Sequence, residues 1–348
     1  MSPDVSAVPG PVAAALGALG RCVYLLDRSL APSAKVRAFQ RAAQIVTDLG
    51  DAALTARVTA ATLTDVDGIG PSTGSVIADA VLGRPGTYLA DLEERSTVTA
   101  EVGGELLARL RGDCHTHSVW SDGGAPIDAM ADAATSLGRD YIVVTDHSAR
   151  LTIAHGLDEE RLAAQLDEIE SLNSRLAPFR ILTGMEVDIL ADGTLDLSGE
   201  MLARLDLVVA SVHSKLSMPP AEMTRRLVSA VASPHTDVLG HPTNRKVVGR
   251  GRPPSDFDAD VVFAACARFD TAVEINCRPE RLDPPDDMIR TAAQWGCRFA
   301  IDTDAHAPGQ LEWLAYGADK ATRAGVEPAA VVNTMDADEL LAWTASHG

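Results

Sequence analysis

The 348-residue chain holds nine histidines: His115, His117, His147, His155, His213, His235, His241, His306 and His347. Six of them, His115, His117, His147, His213, His241 and His306, follow short apolar runs, and Asp113, Asp122, Glu186 and Asp304 fall beside the same runs. His115 and His117 are two positions apart, as are Asp304 and His306. In extended chain such pairs project to the same side, so each pair can bite one cation. Imidazole and carboxylate together suit Zn, Mn or Fe, and a bridging carboxylate lets several ions sit close together. One histidine at a strand end carries little meaning, because such residues also satisfy backbone groups. Six from nine at equivalent places is not chance.

The elements that would position these residues are legible from residue 111 onward. Apolar, β-branched runs occur at 111–116, 141–146 (YIVVTD), 180–189, 207–213, 237–241, 272–276 and 298–304. Helical patterns fill the gaps, as at 158–176, 220–232 and 285–295. Strands separated by helix-length segments predict a parallel β/α array, here a seven-stranded (β/α)7 barrel. Its strand C-termini converge on one face, where such folds carry their sites.

The front of the chain reads differently. Helical periodicity at 11–27, 34–48, 52–63 and from Pro71 to about Leu82 predicts a small all-α unit over residues 1–95, with 96–110 as a connector to the barrel of 111–348. Gly68-Ile69-Gly70 would turn the chain into a helix, where backbone N–H groups can approach an anion. A plain interhelical turn has the same appearance.

With 46% apolar and 23% charged residues, the composition is that of an ordinary globular protein. No apolar run is long enough to span a membrane, and the Ala/Gly-rich start lacks the basic flank of a secretory signal, so the cytoplasm is the expected location. Five scattered cysteines (Cys22, Cys114, Cys266, Cys277, Cys297) without a CxxC pair read as reduced core residues. The net charge of −19 divides unevenly: residues 1–111 hold 10 basic and 12 acidic groups, and 112–348 hold 20 and 37. The second region, at −17, would repel phosphates unless bound cations offset it.

Asp113-Cys-His115-Thr-His117 with Asp122, Thr145-Asp146-His147, Gly184-Met-Glu186, Val212-His213, Gly240-His241-Pro242 and Asp302-Thr-Asp304-Ala-His306 resemble the motif series of the polymerase and histidinol phosphatase (PHP) family. The resemblance implies a distorted seven-stranded barrel with three divalent ions (Mn2+, Zn2+ or Fe2+) held by nine residues. It assigns His115, His117, Glu186 and Asp304 to one ion, Glu186, His213 and His241 to a second, and Asp122, His147 and His306 to a third. Glu186, Asp304 and His306 are the catalytic candidates. GHPTNRKVVGR (240–250) and EINCRPERLDPP (274–285) are similar to the C-terminal PHP region of bacterial family X DNA polymerases, and KVRAFQRAAQIV with LTDVDGIGPSTG to their helix-hairpin-helix domain. No room exists between 96 and 111 for a polymerase palm, which excludes nucleotide addition. Ser72 to Val81 lacks the lysine that relatives use for lyase chemistry.

The chemistry implied is metal-assisted hydrolysis of phosphoesters, with clustered ions acidifying a bound water. Lys215, Arg245, Lys246, Arg278 and Arg281 follow strand ends and could grip phosphate oxygens. Gly68, Ile69 and Gly70 are the DNA-binding candidates. Asp113 and Asp146 are expected to orient imidazoles, Cys114 to point away from the ions, His155 to flank the entrance or be a plain loop residue, and His235 and His347 to lie on the surface. Three functions compete: a 3′-5′ exonuclease on DNA ends or oligonucleotides, a phosphomonoesterase on a small phosphorylated metabolite, and a non-catalytic DNA-binding scaffold. The retained ligand set disfavours the scaffold, and no membrane or protein partner is indicated.

Overall fold

A computed structural model describes residues 9–347. The chain divides into two compact units that part between Thr97 and Val98. The first contains helices α1 (Pro11–Arg28), α2 (Ser33–Thr59), α3 (Pro71–Val81) and α4 (Thr87–Arg95). Along α1, Ala15, Leu19, Cys22 and Leu26 recur at helical spacing, and all four are buried against Phe39, Val46, Leu54 and Ile77. Fully burying each such aliphatic side chain contributes about 1.5–3 kcal/mol. Gly50 interrupts α2 with a left-handed φ of 71°, which explains the gap in helical periodicity between 48 and 52.

In the second unit a short helix, α5 (Gly104–Arg109), precedes seven strands: β1 (Gly112–Thr116), β2 (Tyr141–Val144), β3 (Arg180–Asp188), β4 (Leu207–Ser211), β5 (Val238–Leu239), β6 (Ala272–Asn276) and β7 (Phe299–Asp302). All neighbouring pairs are parallel, in sequence order. A bridge between Thr116 and Ala305 brings the chain after β7 beside β1, giving the seven-stranded α/β barrel that the alternating pattern predicts. Helices α6 (Ile127–Ser136), α7 (Glu159–Leu176), α8 (Gly199–Leu202), α9 (Pro220–Val231), α10 (Ala259–Phe269), α11 (Asp286–Gln294), α12 (Leu314–Ala324) and α13 (Ala337–Thr344) follow or connect the strands. The segment read as a connector is anchored before β1: the amides of Glu101, Val102 and Gly103 donate to the Asp319 carboxylate at 2.7–3.0 Å.

Polarity changes along the barrel axis. At the strand N-termini, Tyr141, Leu182, Leu207, Val238 and Ala272 pack with Leu340 and Trp343 of α13, so that helix closes this end with an apolar floor. Farther along the same strands the inward positions become Glu186 and Asp188 on β3, Glu274 and Asn276 on β6, and Asp302 on β7, all buried. The two-residue strand repeat thus carries each strand from core to polar mouth. Between β1 and β7 the side chain of Asn333 replaces strand pairing: its Oδ1 accepts from Ile301 N (2.7 Å), and its Nδ2 donates to Ile301 O (3.0 Å) and Asp302 Oδ1 (2.9 Å).

Among the described residues, no helix is long and apolar enough to cross a membrane. All five cysteines are buried and free. Cys114 joins the apolar floor, and burial, followed by the charges of Asp302 and Asp113, pushes its thiol well above the usual value.

Candidate metal centre

Glu186 is the hub of the barrel mouth. Because it lies at an inward position of β3, its carboxylate sits on the barrel axis with 1% exposure. Its Oε1 faces His241 Nε2 at 2.8 Å and His213 Nε2 at 3.2 Å. Its Oε2 faces His147 Nδ1 at 2.9 Å, His115 Nε2 at 3.3 Å and His117 Nε2 at 3.6 Å. Five imidazoles from four strand ends thus converge on one carboxylate. Burial alone would raise this carboxyl, but the neighbouring imidazoles of His213, His147 and His115 outweigh it and hold Glu186 well below the usual carboxylate range.

A second group adjoins it. His117, Asp122, His147 and His306 bring ligand atoms within 4.8 Å of one another. Asp122 Oδ1 stands 3.3 Å from His306 Nε2 and 3.6 Å from His147 Nε2. Asp304, which turns back at a left-handed φ of 52°, places Oδ1 3.4 Å from His117 Nε2. Burial first, then the neighbouring His306 and His147 charges, lower His117 to about 3, so this imidazole is neutral and has a lone pair to give. Its Nδ1 is buried without a hydrogen-bond partner, and His147 Nδ1, although 2.9 Å from Glu186 Oε2, makes no aligned hydrogen bond. Unpartnered ring nitrogens aimed among carboxylates are the donor set that a divalent ion of the Zn, Mn or Fe type satisfies.

All nine ligand candidates therefore meet at the barrel mouth, although the groupings overlap more than the sequence resemblance implies. His115, His117 and Glu186 form one triad, and His147, Glu186 and His213 another. His147 thus reaches both a triad and the Asp122 group.

The residues that orient these imidazoles differ from those expected. Asp113 accepts from the backbone N–H groups of His115 and Thr303 and from Thr303 Oγ1. Asp146 accepts from Ser118, Ser121 and Gln165. Neither bonds an imidazole; Asp146 instead fixes the turn that presents Asp122. Two buried carboxylates that the sequence reading missed take the orienting role. Glu274 Oε1 lies 2.6 Å from His115 Nδ1, and Asp188 Oδ1 lies 2.6 Å from His213 Nδ1. A carboxylate accepting at Nδ1 puts the ring proton there and leaves Nε2 free toward Glu186. Burial would lower His213, but Glu186 and Asp188 outweigh it and raise the ring to about 9, so an ion binding at Nε2 would have to displace a proton there.

The five candidate cations separate. Arg278 is nearly enclosed; its Nη1 donates to Asp304 O (2.8 Å) and lies 2.9 Å from His306 Nδ1. Arg281 Nε stands 3.6 Å from Asp304 Oδ2. Lys215 and Lys246 are exposed. Arg245 turns away, its guanidinium donating to the carbonyls of Arg281 and Leu282, so it braces a loop instead of facing the centre. His155 is exposed at the end of a short turn after β2, and His235 is half-buried. His347 is not a surface residue: its ring packs on Trp343 with centroids 4.8 Å apart and meets Asp237 Oδ1 at 2.8 Å.

At Gly68-Ile69-Gly70, Ile69 is buried and its N–H donates to Val66 O (3.0 Å), while the Gly70 N–H donates to Thr73 Oγ1 (2.9 Å). Two of the three amides considered for phosphate are therefore engaged in the turn itself.

Residues 113–241 match the family model described as the PHP domain. The chain is 38% identical over 237 residues to the DNA polymerase/3'-5' exonuclease PolX of Bacillus subtilis (strain 168), a match covering 68% of this chain and 41% of that protein. It therefore spans about two fifths of that relative's length. It is 27% identical over 234 residues to a probable phosphatase of Thermoanaerobacter sp. (strain X514), covering 64% of this chain and 89% of that protein. Among solved structures, a histidinol phosphate phosphatase of Lactococcus lactis, complexed with zinc, L-histidinol and phosphate, aligns with a TM-score of 0.44 at 18% identity, over 63% of this chain and 95% of that one. The motif series, the seven-stranded barrel and the family match agree on a PHP domain at residues 113–241.

Proposed function

We propose that the barrel is a metal-dependent phosphoesterase that hydrolyses phosphodiesters at the 3′ ends of DNA. The observation that carries this reading is the Glu186 carboxylate, both of whose oxygens face imidazole nitrogens. His115, His117, Glu186 and Asp304 would hold one divalent ion, Glu186, His213 and His241 a second, and Asp122, His147 and His306 a third. Bound ions of this kind activate water near neutral pH and neutralise phosphoryl oxygens.

The chain's own groups do the positioning. Glu274 and Asp188 fix the rings of His115 and His213, and Arg278 holds the turn of Asp304 beside His306. Arg278 and Arg281 border this group and present guanidinium charge to phosphate oxygens. Similarity to a relative named as a polymerase and 3′-5′ exonuclease supports DNA as the substrate. The small helical unit, with its Gly68-Ile69-Gly70 turn, would hold the strand, and no nucleotide addition is expected.

A second reading, hydrolysis of a small phosphomonoester, has a specific observation in its favour. The match to the probable phosphatase covers 89% of that protein. One experiment separates the two: metal-loaded protein is given a 5′-labelled oligonucleotide beside a panel of phosphomonoesters. Release of mononucleotides supports the exonuclease; an untouched oligonucleotide with turnover of a monoester replaces it by the phosphatase.

A further inference from the structure

Beside the metal centre the chain after β5 forms a hairpin over residues 244–252 whose cations the chemistry above does not use. Lys246 and Arg252 pair antiparallel, each N–H donating to the other's carbonyl at 2.9 Å, and Val247 N donates to Glu280 O (2.7 Å), which ties the hairpin to the loop after β6. Asn244, at a left-handed φ of 55°, is its pivot. Arg252 Nη2 and Arg281 Nη1 both donate to Asn244 Oδ1, the latter at 2.8 Å. Two guanidinium groups are thus held side by side by one neutral amide oxygen.

Lys246 and Arg250 are exposed on the same hairpin. The carboxylates of this region are engaged elsewhere: Asp283 accepts from Thr243 and the Arg245 amide, and Glu280 pairs with Arg278 at 3.2 Å. Burial, then the adjoining Arg281 and Arg252 charges, pull Lys246 below the usual lysine value. Four cations, Lys246, Arg250, Arg252 and Arg281, thus share a region whose carboxylates Glu280, Asp283 and Asp304 also serve other donors, and an anion would relieve the crowding of like charge. At the tip, Val247 and Val248 expose 51% and 59% of their surface, offering aliphatic contact to a sugar or base. Arg281 reaches from the hairpin to Asp304, so the cluster begins one side chain from the metal centre.

We propose that this hairpin, through Lys246, Arg250 and Arg252, is a second phosphate site that holds the phosphate next to the one being hydrolysed. The enzyme would then prefer an oligonucleotide to any substrate with a single phosphate. The proposal rests on the phosphodiesterase reading above and sharpens its substrate class.

The dinucleotides TpT and pTpT, which differ only in a 5′ phosphate, test it. With Mn2+-loaded wild-type protein, kcat/KM for pTpT should exceed that for TpT by about 10- to 100-fold, the range of a hydrogen-bonded charge pair. Arg252→Met and Arg250→Ala should erase most of that ratio while TpT hydrolysis is kept, and added salt should reduce the ratio as well. Because Arg252 also braces Asn244, Arg250→Ala is the variant that leaves the hairpin's hydrogen bonds intact. Equal rates on the two dinucleotides in the wild type, or an unchanged ratio in both variants, overturns the second site and leaves the hydrolase standing. If neither dinucleotide is cleaved, the diesterase reading fails, and competition binding of the same pair then decides the site: equal affinities overturn it, tighter binding of pTpT that Arg250→Ala abolishes supports it.

Discussion

Glu274→Gln is the most direct test of how the centre is held. The carboxylate serves three donors: Oε1 meets His115 Nδ1 at 2.6 Å, and Oε2 accepts from the backbone N–H of His241 and from Asn276 Nδ2 at 3.3 Å. An amide of the same shape keeps one acceptor and turns the other end into a donor. Turned toward His241, the amide N–H faces a backbone N–H in a fully buried pocket; turned toward His115, it forces the ring to accept at Nδ1. If the ring loses its acceptor, the His115 Nδ1 proton is no longer fixed and Nε2 is no longer reserved for an ion. The loss of one charge-assisted hydrogen bond is about 1.5–3 kcal/mol, which corresponds to about 10- to 100-fold in metal affinity. Titration of Mn2+ or Zn2+ against a competing chelator reads this directly, with circular dichroism to confirm that the barrel is folded. Asp188→Asn applies the same change to His213 and should give a loss of similar size. An affinity within twofold of wild type in both variants would refute the orienting role of these carboxylates.

Glu186→Ala removes the hub and should lower the number of bound ions by more than one, with hydrolysis lost and the fold kept; elemental analysis of the metal-loaded variant checks this. Asn333→Ala should lower stability by roughly 2–4 kcal/mol, because the Ile301 N–H and its neighbours lose their partners in a dry setting; a denaturant midpoint unchanged from wild type would contradict it. Replacing Gly70 with leucine should weaken DNA binding several-fold without unfolding the helical unit, because φ there is −89° and a Cβ meets nothing within 4 Å. Fluorescence anisotropy with a labelled oligonucleotide measures the first effect and a melting curve the second.

Much of the architecture was legible because each strand is a short apolar run ending in a polar residue. YIVV and LVVAS have no plausible solvent face, and they lie at β2 and β4 as read. The clustering of the ligand candidates was legible for the same reason: a histidine or carboxylate just after such a run has to stand at the barrel mouth. The orienting carboxylates were harder to find. Glu274 sits inside AVEIN, where alternation does mark it as an inward acidic residue in a buried strand, and Asp188 shares the inward face of Glu186 two positions earlier. Asp113 and Asp146 looked equivalent by adjacency, yet their side chains bond to loop residues whose positions depend on strands far away in sequence. Arg245 and Arg252 illustrate a second limit. Both are loop arginines, and only the fold decides that one braces carbonyls while the other meets Asn244. Asn333 and His347 belong to the same class, since the gaps they fill are created by closing the barrel.

Backbone strain follows the same geography. Of the nine non-glycine residues with positive φ among the described residues, six (His155, Lys215, His241, Asn244, Leu282 and Asp304) lie in the loops after β2, β4, β5, β6 and β7. Each such residue costs on the order of 1–3 kcal/mol, less for Asn, Asp and His, whose side chains tolerate this region. The cost has a geometric origin at His241 and Asp304. Both lie two residues past a strand end, where a left-handed turn lets the chain leave the strand while the side chain stays at the barrel mouth. The turns are held by buried charge: Glu274 accepts from the His241 N–H, and Arg278 Nη1 donates to Asp304 O. The same carboxylate that orients His115 thus also fixes the strained turn that presents His241. In this way one inward residue of β6 couples two ligand candidates on different strands, which is why a change at Glu274 should be felt at more than one ion.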